Sequence, residues 1–274
     1  MHTLIIILNF NSSKDTINLA NKILRITHFF VCIVDNNSSD NSLNEIHDFC
    51  KNNKRIKFIK SDVNGGYAKG NNIGLRYAKN NGYNSAFLIN PDVTITDGKV
   101  FDKCLDILHN NVSALATGPM IEGISHYPLR PYLLSFVLPF VHRLLEKIYC
   151  RIQNKSKSES VSVYKLYGCF LCVSIEKIES LDFFDEETFL YYEESILAEK
   201  ALLKNYTFEY IPCVSIYHAS QGSVSQLGLS QFKFFFKSCF VYLRKYRGYS
   251  KLSAIFLSGI DIIFRFLINS LRRI

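Results

Sequence analysis

Over its first 120 residues the chain alternates short, fully apolar runs with longer segments of helical period. The run LIIIL (4–8) is apolar and rich in β-branched residues, the pattern of a strand buried on both faces. SSKD follows, in which Ser12 and Asp15 have capping-box spacing, and then a helical stripe of Ile17, Leu19, Ala20, Ile23 and Leu24. FFVCIV (29–34) predicts a second strand, RIKFIK (55–60) a third, SAFLIN (85–90) a fourth and SALATG (113–118) a fifth, with helices between them. Strands and helices alternating at such short intervals predict an α/β fold: a mostly parallel sheet flanked by helices and joined by right-handed crossovers.

The pattern breaks at 119–162, which holds Pro119, Pro128, Pro131 and Pro139, the apolar patch YLLSFVLPFVHRLL and the polar stretch RIQNKSKSES. This segment reads as an excursion from the sheet, a lid or acceptor-side element with a mobile tip near 153–160. Regular structure resumes with YKLYGCFLCVSI (164–175), a helix, the turn LDFFDEE and the helical TFLYYEESILAEKALLKNY. A strand pair, TFEYIP and VSIYH, ends at His218, and 229–274 reads as two basic amphipathic helices.

Composition and charge narrow the class. Apolar residues make up 48% of the chain, enough for a large core. The net charge of +8 raises nucleic acid as a partner, but much of the excess lies after residue 230, interleaved with Phe, Tyr, Leu and Ile. That arrangement fits a membrane surface better than a duplex, and no nucleic-acid-binding motif is present. The longest apolar part of the tail, 252–269, is interrupted by Asp261 and Arg265, which are costly in a spanning helix, so interfacial attachment is expected. The opening MHTLIIILNF has neither a basic head nor a cleavage site and is strand-sized, so the cytoplasm is the expected compartment. Cys169 and Cys172 have metal-ligand spacing, but in a strand residues three apart face opposite sides and no second pair exists; they read as buried thiols.

In open α/β sheets ligands bind beyond the carboxyl ends of the strands. That edge carries Asn9 to Asn11, Asp35 and Asn36, the loop NGGYAKGNNIGL (64–75), and Asn90 to Asp92. Asp35 suits a base or ribose donor, or a turn cap; Asp92, on a backbone stiffened by Pro91, suits a hard cation, or a plain turn. Glu193 and Glu194 open a helix, where acids favour the dipole but where a general base would also sit. His218 is a structural histidine or a metal ligand. The glycine loop follows the third strand rather than the first, so it is not a dinucleotide or P-loop fingerprint.

The ordered set NFN, VDNNSSD, NGGYAKGNNIGL, LINPD, GCFLCV, FDEETFLYYEE and YIPCVSIYH resembles family-2 glycosyltransferases of the GT-A (Rossmann-like) fold, in particular bacterial rhamnosyltransferase-like members that build surface polysaccharides. The match spans residues 3 to 220. The resemblance implies a catalytic domain over 1–228, with a nucleotide-binding half (1–118) and an acceptor and catalytic half (119–228), followed by the tail 229–274. It implies that Asn9, Asn11 and Asp35 hold the base and ribose of a UDP- or dTDP-linked sugar, and that Asn64, Gly66, Gly70 and Asn71 wall the donor pocket. Asp92 matches the last acid of the DxD signature and would bind Mg2+ or Mn2+, with His218 completing the site; Asn90 stands at the first acid. Glu193 and Glu194 match the ED..L element, and Glu194 stands where the base is usually Asp. The implied reaction is inverting transfer to a saccharide or polyprenyl-diphosphate-linked acceptor at the cytoplasmic face of the inner membrane. The competing readings are a sugar nucleotidyltransferase, weakened by the lack of glycine after the first strand, and an inactive saccharide-binding protein of the same fold.

Overall fold

The computed structural model describes residues 2–51, 53–124, 126–153, 159–219 and 230–271. The elements run β1 (Thr3–Asn9), α1 (Ser13–Ile26), β2 (Phe30–Asp35), α2 (Ser42–Lys51), β3 (Ile56–Lys60), α3 (Gly66–Asn80), β4 (Ser85–Ile89), β5 (Val93–Thr94), α4 (Lys99–Asn110) and β6 (Ala114–Ile121). There follow α5 (Leu133–Val137), α6 (Pro139–Gln153), β7 (Val161–Val163), β8 (Phe170–Ser174), α7 (Ile175–Ser180), α8 (Glu193–Leu202), β9 (Thr207–His218), α9 (Ser230–Val241), a π-helical turn (Tyr242–Tyr246) and α10 (Lys251–Leu271).

The sheet is ordered β3-β2-β1-β4-β8-β6-β9-β5, with β7 also on β9. Strands β3, β2, β1, β4, β6 and β9 share one direction, while β8, β7 and β5 run against them. The α/β architecture expected from the sequence, a mostly parallel sheet flanked by helices, is therefore present. The apolar run of β1 is explained by its two faces. Leu4 and Ile6 enter a core with α3, α7 and α8, and Ile5 and Ile7 enter a second core with α1, α2 and α4. Helix α3 lies close on β1 because a Cβ at Gly70 would overlap Leu8, and one at Gly74 would overlap Ile6.

Several local expectations are corrected. Ser12 does not cap α1; its hydroxyl donates to Asp15 Oδ2 at 3.0 Å. The strand expected over 164–175 forms only at Phe170–Ser174, leaving 164–169 as a loop. Cys169 thus precedes the strand, and it borders the same core as Cys172 rather than facing the opposite side. The two strands expected around Pro212 are one strand, β9, because its pairing with β6 slips from Pro119↔Ile211 to Met120↔Ser215. The slip absorbs a residue that cannot donate to the ladder and bends β9 toward β5. The excursion is largely helical, in α5 and α6, and most of its expected mobile tip lies outside the described residues. A third core joins Phe136 of the excursion, Ile196 of α8, and Phe235, Cys239, Tyr242, Ala254 and Leu257 of the tail. Among the described residues no helix is long and apolar enough to cross a membrane.

Candidate active site

The carboxyl ends of β1, β2 and β4 and the start of α3 form one polar edge. Asn9 and Asp35 are register partners at the ends of β1 and β2, and both are wholly buried. Asn9 Nδ2 donates to Asp35 Oδ1 at 2.8 Å, and Ser38 donates to both oxygens of Asp35 through its hydroxyl (2.6 Å) and its backbone N–H (3.0 Å). Asp35 thus shapes the loop after β2 from beneath. Asn11, held at φ 52°, ties that loop down through Ser39, whose N–H donates to Asn11 Oδ1 at 2.8 Å. Asn36 Nδ2 donates to Asn64 Oδ1 at 3.0 Å and to Gly66 O at 3.1 Å, locking the glycine loop beside β2. Gly66 has φ +79°, and a Cβ there would overlap the carbonyl of Phe189. Asn71 is buried, donating to Tyr67 O at 3.0 Å, and Gly70 faces β1.

The second half of the site is a cavity of about 440 Å³ between the sheet edge, α8 and the excursion. Asn90, Glu193, Glu194 and His218 line it, together with Tyr67, Lys165 and Gly168. Asp92 is at its margin. Strand β5 pairs with the bent end of β9, setting His218 opposite Val93, and His218 Nε2 lies 3.1 Å from Asp92 Oδ1. The slip in β9 is what brings these two residues, 126 apart in sequence, into contact.

Glu193 and Glu194 enter the cavity from the first turn of α8. The two preceding residues, Tyr191 (φ 74°) and Tyr192 (φ 67°), are both left-handed, a costly conformation for aromatic residues that clusters at functional sites. Glu194 is half-buried and accepts the N–H of Gly168 at 2.9 Å. Any side chain at residue 168 would overlap that carboxylate and Tyr67. Tyr67 donates to Gly168 O at 2.6 Å, closing a ring of contacts around the acid. Glu193 is buried, its Oε1 has no partner among the described residues, and burial followed by the neighbouring Glu194 charge pushes its carboxyl up to about 8. Burial and both glutamates likewise raise the Tyr67 phenol well above its usual value.

Among the described residues no three potential metal ligands converge. Asp92 and His218 nevertheless fit as the protein's share of a hard-cation seat, since such ions are commonly held by one or two side chains, with substrate phosphates and water supplying the rest. Residues not singled out from the sequence also matter. Buried Asn72 clamps α3 to the turn before α8, donating to Phe184 O and Glu186 Oε1, both at 2.9 Å. Glu199 is buried beneath α8 and accepts from Arg130 Nε (3.1 Å), Tyr164 (2.8 Å) and Tyr242 (3.2 Å). Glu199 sits in α8, and its partners come from distant segments of the chain, so spacing carries no sign of the cluster.

The family model described as Glycosyl transferase family 2 matches residues 4–167. The low-salt glycan biosynthesis hexosyltransferase Agl10 of Haloferax volcanii is 28% identical over 207 residues, which cover 73% of this chain and 62% of that one, so the chain spans less than two thirds of this relative. Among solved structures, GalNAc-T7 with UDP, GalNAc and Mn2+ superposes with a TM-score of 0.63 at 14% identity, covering 80% of this chain and 44% of that one. The mannosyltransferase PcManGT of Pyrobaculum calidifontis, in complex with GDP-Man and Mn2+, gives 0.61 at 11% identity, covering 95% and 73%. TarS of S. aureus (residues 1–349) gives 0.57 at 16%, covering 96% and 71%. These likenesses show a shared fold. With a polar edge at the strand ends, a cavity bearing two acids, and a family match over more than half its length, the chain belongs to glycosyl transferase family 2.

Proposed function

We propose that the protein is an inverting hexosyltransferase that moves rhamnose or another hexose from a UDP- or dTDP-linked donor to a saccharide acceptor. The observation that carries this reading is Glu194, held by the Gly168 N–H and directed into a cavity bordered by the Asp92–His218 pair. Glu194 accepts the proton of an acceptor hydroxyl, whose oxygen attacks the anomeric carbon opposite the nucleoside diphosphate. Glu193, whose carboxyl burial pushes up to about 8, remains protonated at neutral pH. Asp92 and His218 would hold Mg2+ or Mn2+, which when bound offsets the charge of the departing diphosphate. On the donor side Asn11, Asn64, Gly66, Asn71 and Asn90 border the nucleotide sugar. Asn9, Asp35 and Gly70 act from behind, by setting the loops.

The nucleotide sugars and Mn2+ of the fold neighbours, and the hexosyltransferase relative, support the substrate class. We further read 1–228 as the catalytic domain and 229–274 as a basic tail that attaches to the cytoplasmic face of the inner membrane, where a polyprenyl-linked acceptor for surface polysaccharide would lie. A thermal-shift screen of UDP-, dTDP- and GDP-sugars with Mn2+ identifies the donor class. With that donor, Glu194→Gln is expected to lower transfer by at least about 100-fold while keeping the donor-induced shift. Transfer unaffected by the substitution would refute Glu194 as the base.

A further inference from the structure

Helix α6 is turned inside out. A surface helix of a globular protein buries its apolar stripe and presents its polar face to water. Here His142, Glu146 and Cys150, spaced i, i+4, i+8, point inward, and His142 and Glu146 line the catalytic cavity. Phe140, Val141, Leu144, Leu145, Ile148 and Tyr149 point outward, from 40% exposed at Val141 to 63% at Phe140. The outward face continues beyond α6. Leu133, Val137 and Leu138 are exposed on and after α5, and Leu252, Ile255, Phe256 and Ile263 on α10. Helix α5 packs against both α6 and α10, and the rings of Phe140 and Phe264 meet edge to face at 5.9 Å. The result is one apolar surface spanning three helices, far more than the scattered apolar side chains of an ordinary protein surface.

Charge decides what covers it. The exposed charges on these helices are basic: Lys147 on α6 and Lys251 on α10, with Arg143 of α6 exposed where the helix meets the cavity. The acid of α6, Glu146, is buried toward the cavity, and Asp261 of α10 accepts the Tyr192 hydroxyl at 2.9 Å. Apolar side chains rimmed by lysine and arginine, with the acids turned inward, match the interfacial zone of an anionic bilayer. We propose that α5, α6 and the outer face of α10 form a single membrane-docking surface that seats on anionic phospholipid. Since α6 carries lipid-facing residues on one side and cavity-lining residues on the other, docking places the cavity wall at the membrane surface. A lipid-anchored acceptor then reaches Glu194 with its chain still in the bilayer. The inference deepens the tail attachment proposed above, on which it rests for α10, and adds the excursion as a contact of its own.

The test is co-sedimentation of the full chain with vesicles of phosphatidylcholine alone or mixed with phosphatidylglycerol. Leu144→Ser, Leu145→Ser and Ile148→Ser are combined in one variant, and Leu252→Ser with Phe256→Ser in another. These side chains are exposed, so melting temperatures should match the parent, and donor-induced thermal shifts should persist. The α6 variant is expected to lower binding to mixed vesicles at least about tenfold, since it removes three large apolar side chains from the face that would meet the bilayer. Lys147→Glu should weaken binding to mixed vesicles but not to neutral ones. If the α6 variant binds like the parent while the α10 variant does not, the excursion surface is overturned and the tail attachment stands. If the parent itself fails to bind, both readings fall. A parent that is dimeric by analytical ultracentrifugation, made monomeric by the α6 substitutions without any vesicle binding, would assign the surface to a second copy and overturn the lipid.

Discussion

Glu193 and Glu194 are covalent neighbours in opposite surroundings: one carboxyl is buried, its Oε1 without a partner among the described residues, and the other is half-buried and hydrogen-bonded to Gly168. Their difference predicts a pH dependence. In the unfolded chain Glu193 ionises in the usual carboxylate range, whereas in the fold its carboxyl is pushed up to about 8 by burial and by Glu194. The folded state therefore holds more protons between about 4.5 and 8, so stability is greatest below the unfolded value and declines as pH rises through 8. Glu193→Gln should flatten that decline, read as melting temperature against pH for the two proteins. A second residue-scale expectation concerns Gly66. Its left-handed backbone and the nearby Phe189 carbonyl leave no room for a side chain, so Gly66→Ala should cost at least about 2 kcal/mol in urea unfolding. Glu194, Asp92 and His218 were readable as candidates because their residue types and positions at element ends carry chemistry. The difference between the surroundings of Glu194 and Glu193 was not, because the Gly168 contact comes from loop 164–169, distant in sequence.

Helix α8 is held from three sides. Its entry through Tyr191 and Tyr192 rests on the tail: Tyr191 and Tyr192 pack on Phe235 with ring centroids 5.1 and 5.2 Å apart, and Tyr192 donates to Asp261 at 2.9 Å. Beneath it Glu199 joins Arg130 of the excursion, Tyr164 of the loop and Tyr242 of the π-helical turn. Arg130 is 41% exposed and the buried Arg247 also pairs with Glu199 at 3.5 Å, so Arg130→Ala leaves the carboxylate compensated and should destabilise by only about 1 kcal/mol. Glu199→Ala takes the acceptor from buried Arg247, Tyr164 and Tyr242 and should cost more, about 3 kcal/mol, and the double variant should cost less than the sum of the two in a denaturation cycle. Phe235→Ala, far from the acids in sequence, should cost about 3–5 kcal/mol and also lower transfer, since it loosens the strained entry to α8. Unchanged transfer in a folded Phe235→Ala protein would show that the entry holds itself.

At the scale of the whole molecule, the tail is both a surface element and a structural part. Phe235, Cys239, Tyr242, Ala254 and Leu257 share a core with Phe136 and Ile196, so a chain cut after residue 229 should lose that core and aggregate or melt early, as light scattering and calorimetry would show. Point substitutions on exposed residues are therefore the informative probe of membrane attachment. The sequence by itself determined the parallel strands β1 to β4, their helices and the edge on which Asn9, Asp35, the glycine loop and Asp92 sit. Each rests on local periodicity and on the rule that ligands meet strand ends. Only the tertiary structure decided that β9 is one bent strand carrying His218 to Asp92, that the α6 stripe faces outward, and that Glu199 ties excursion, loop and tail to α8. Those features depend on contacts between segments tens of residues apart. Hydrophobic period reports that a helix has an apolar side, but which side meets the protein is settled by what the rest of the chain packs against it.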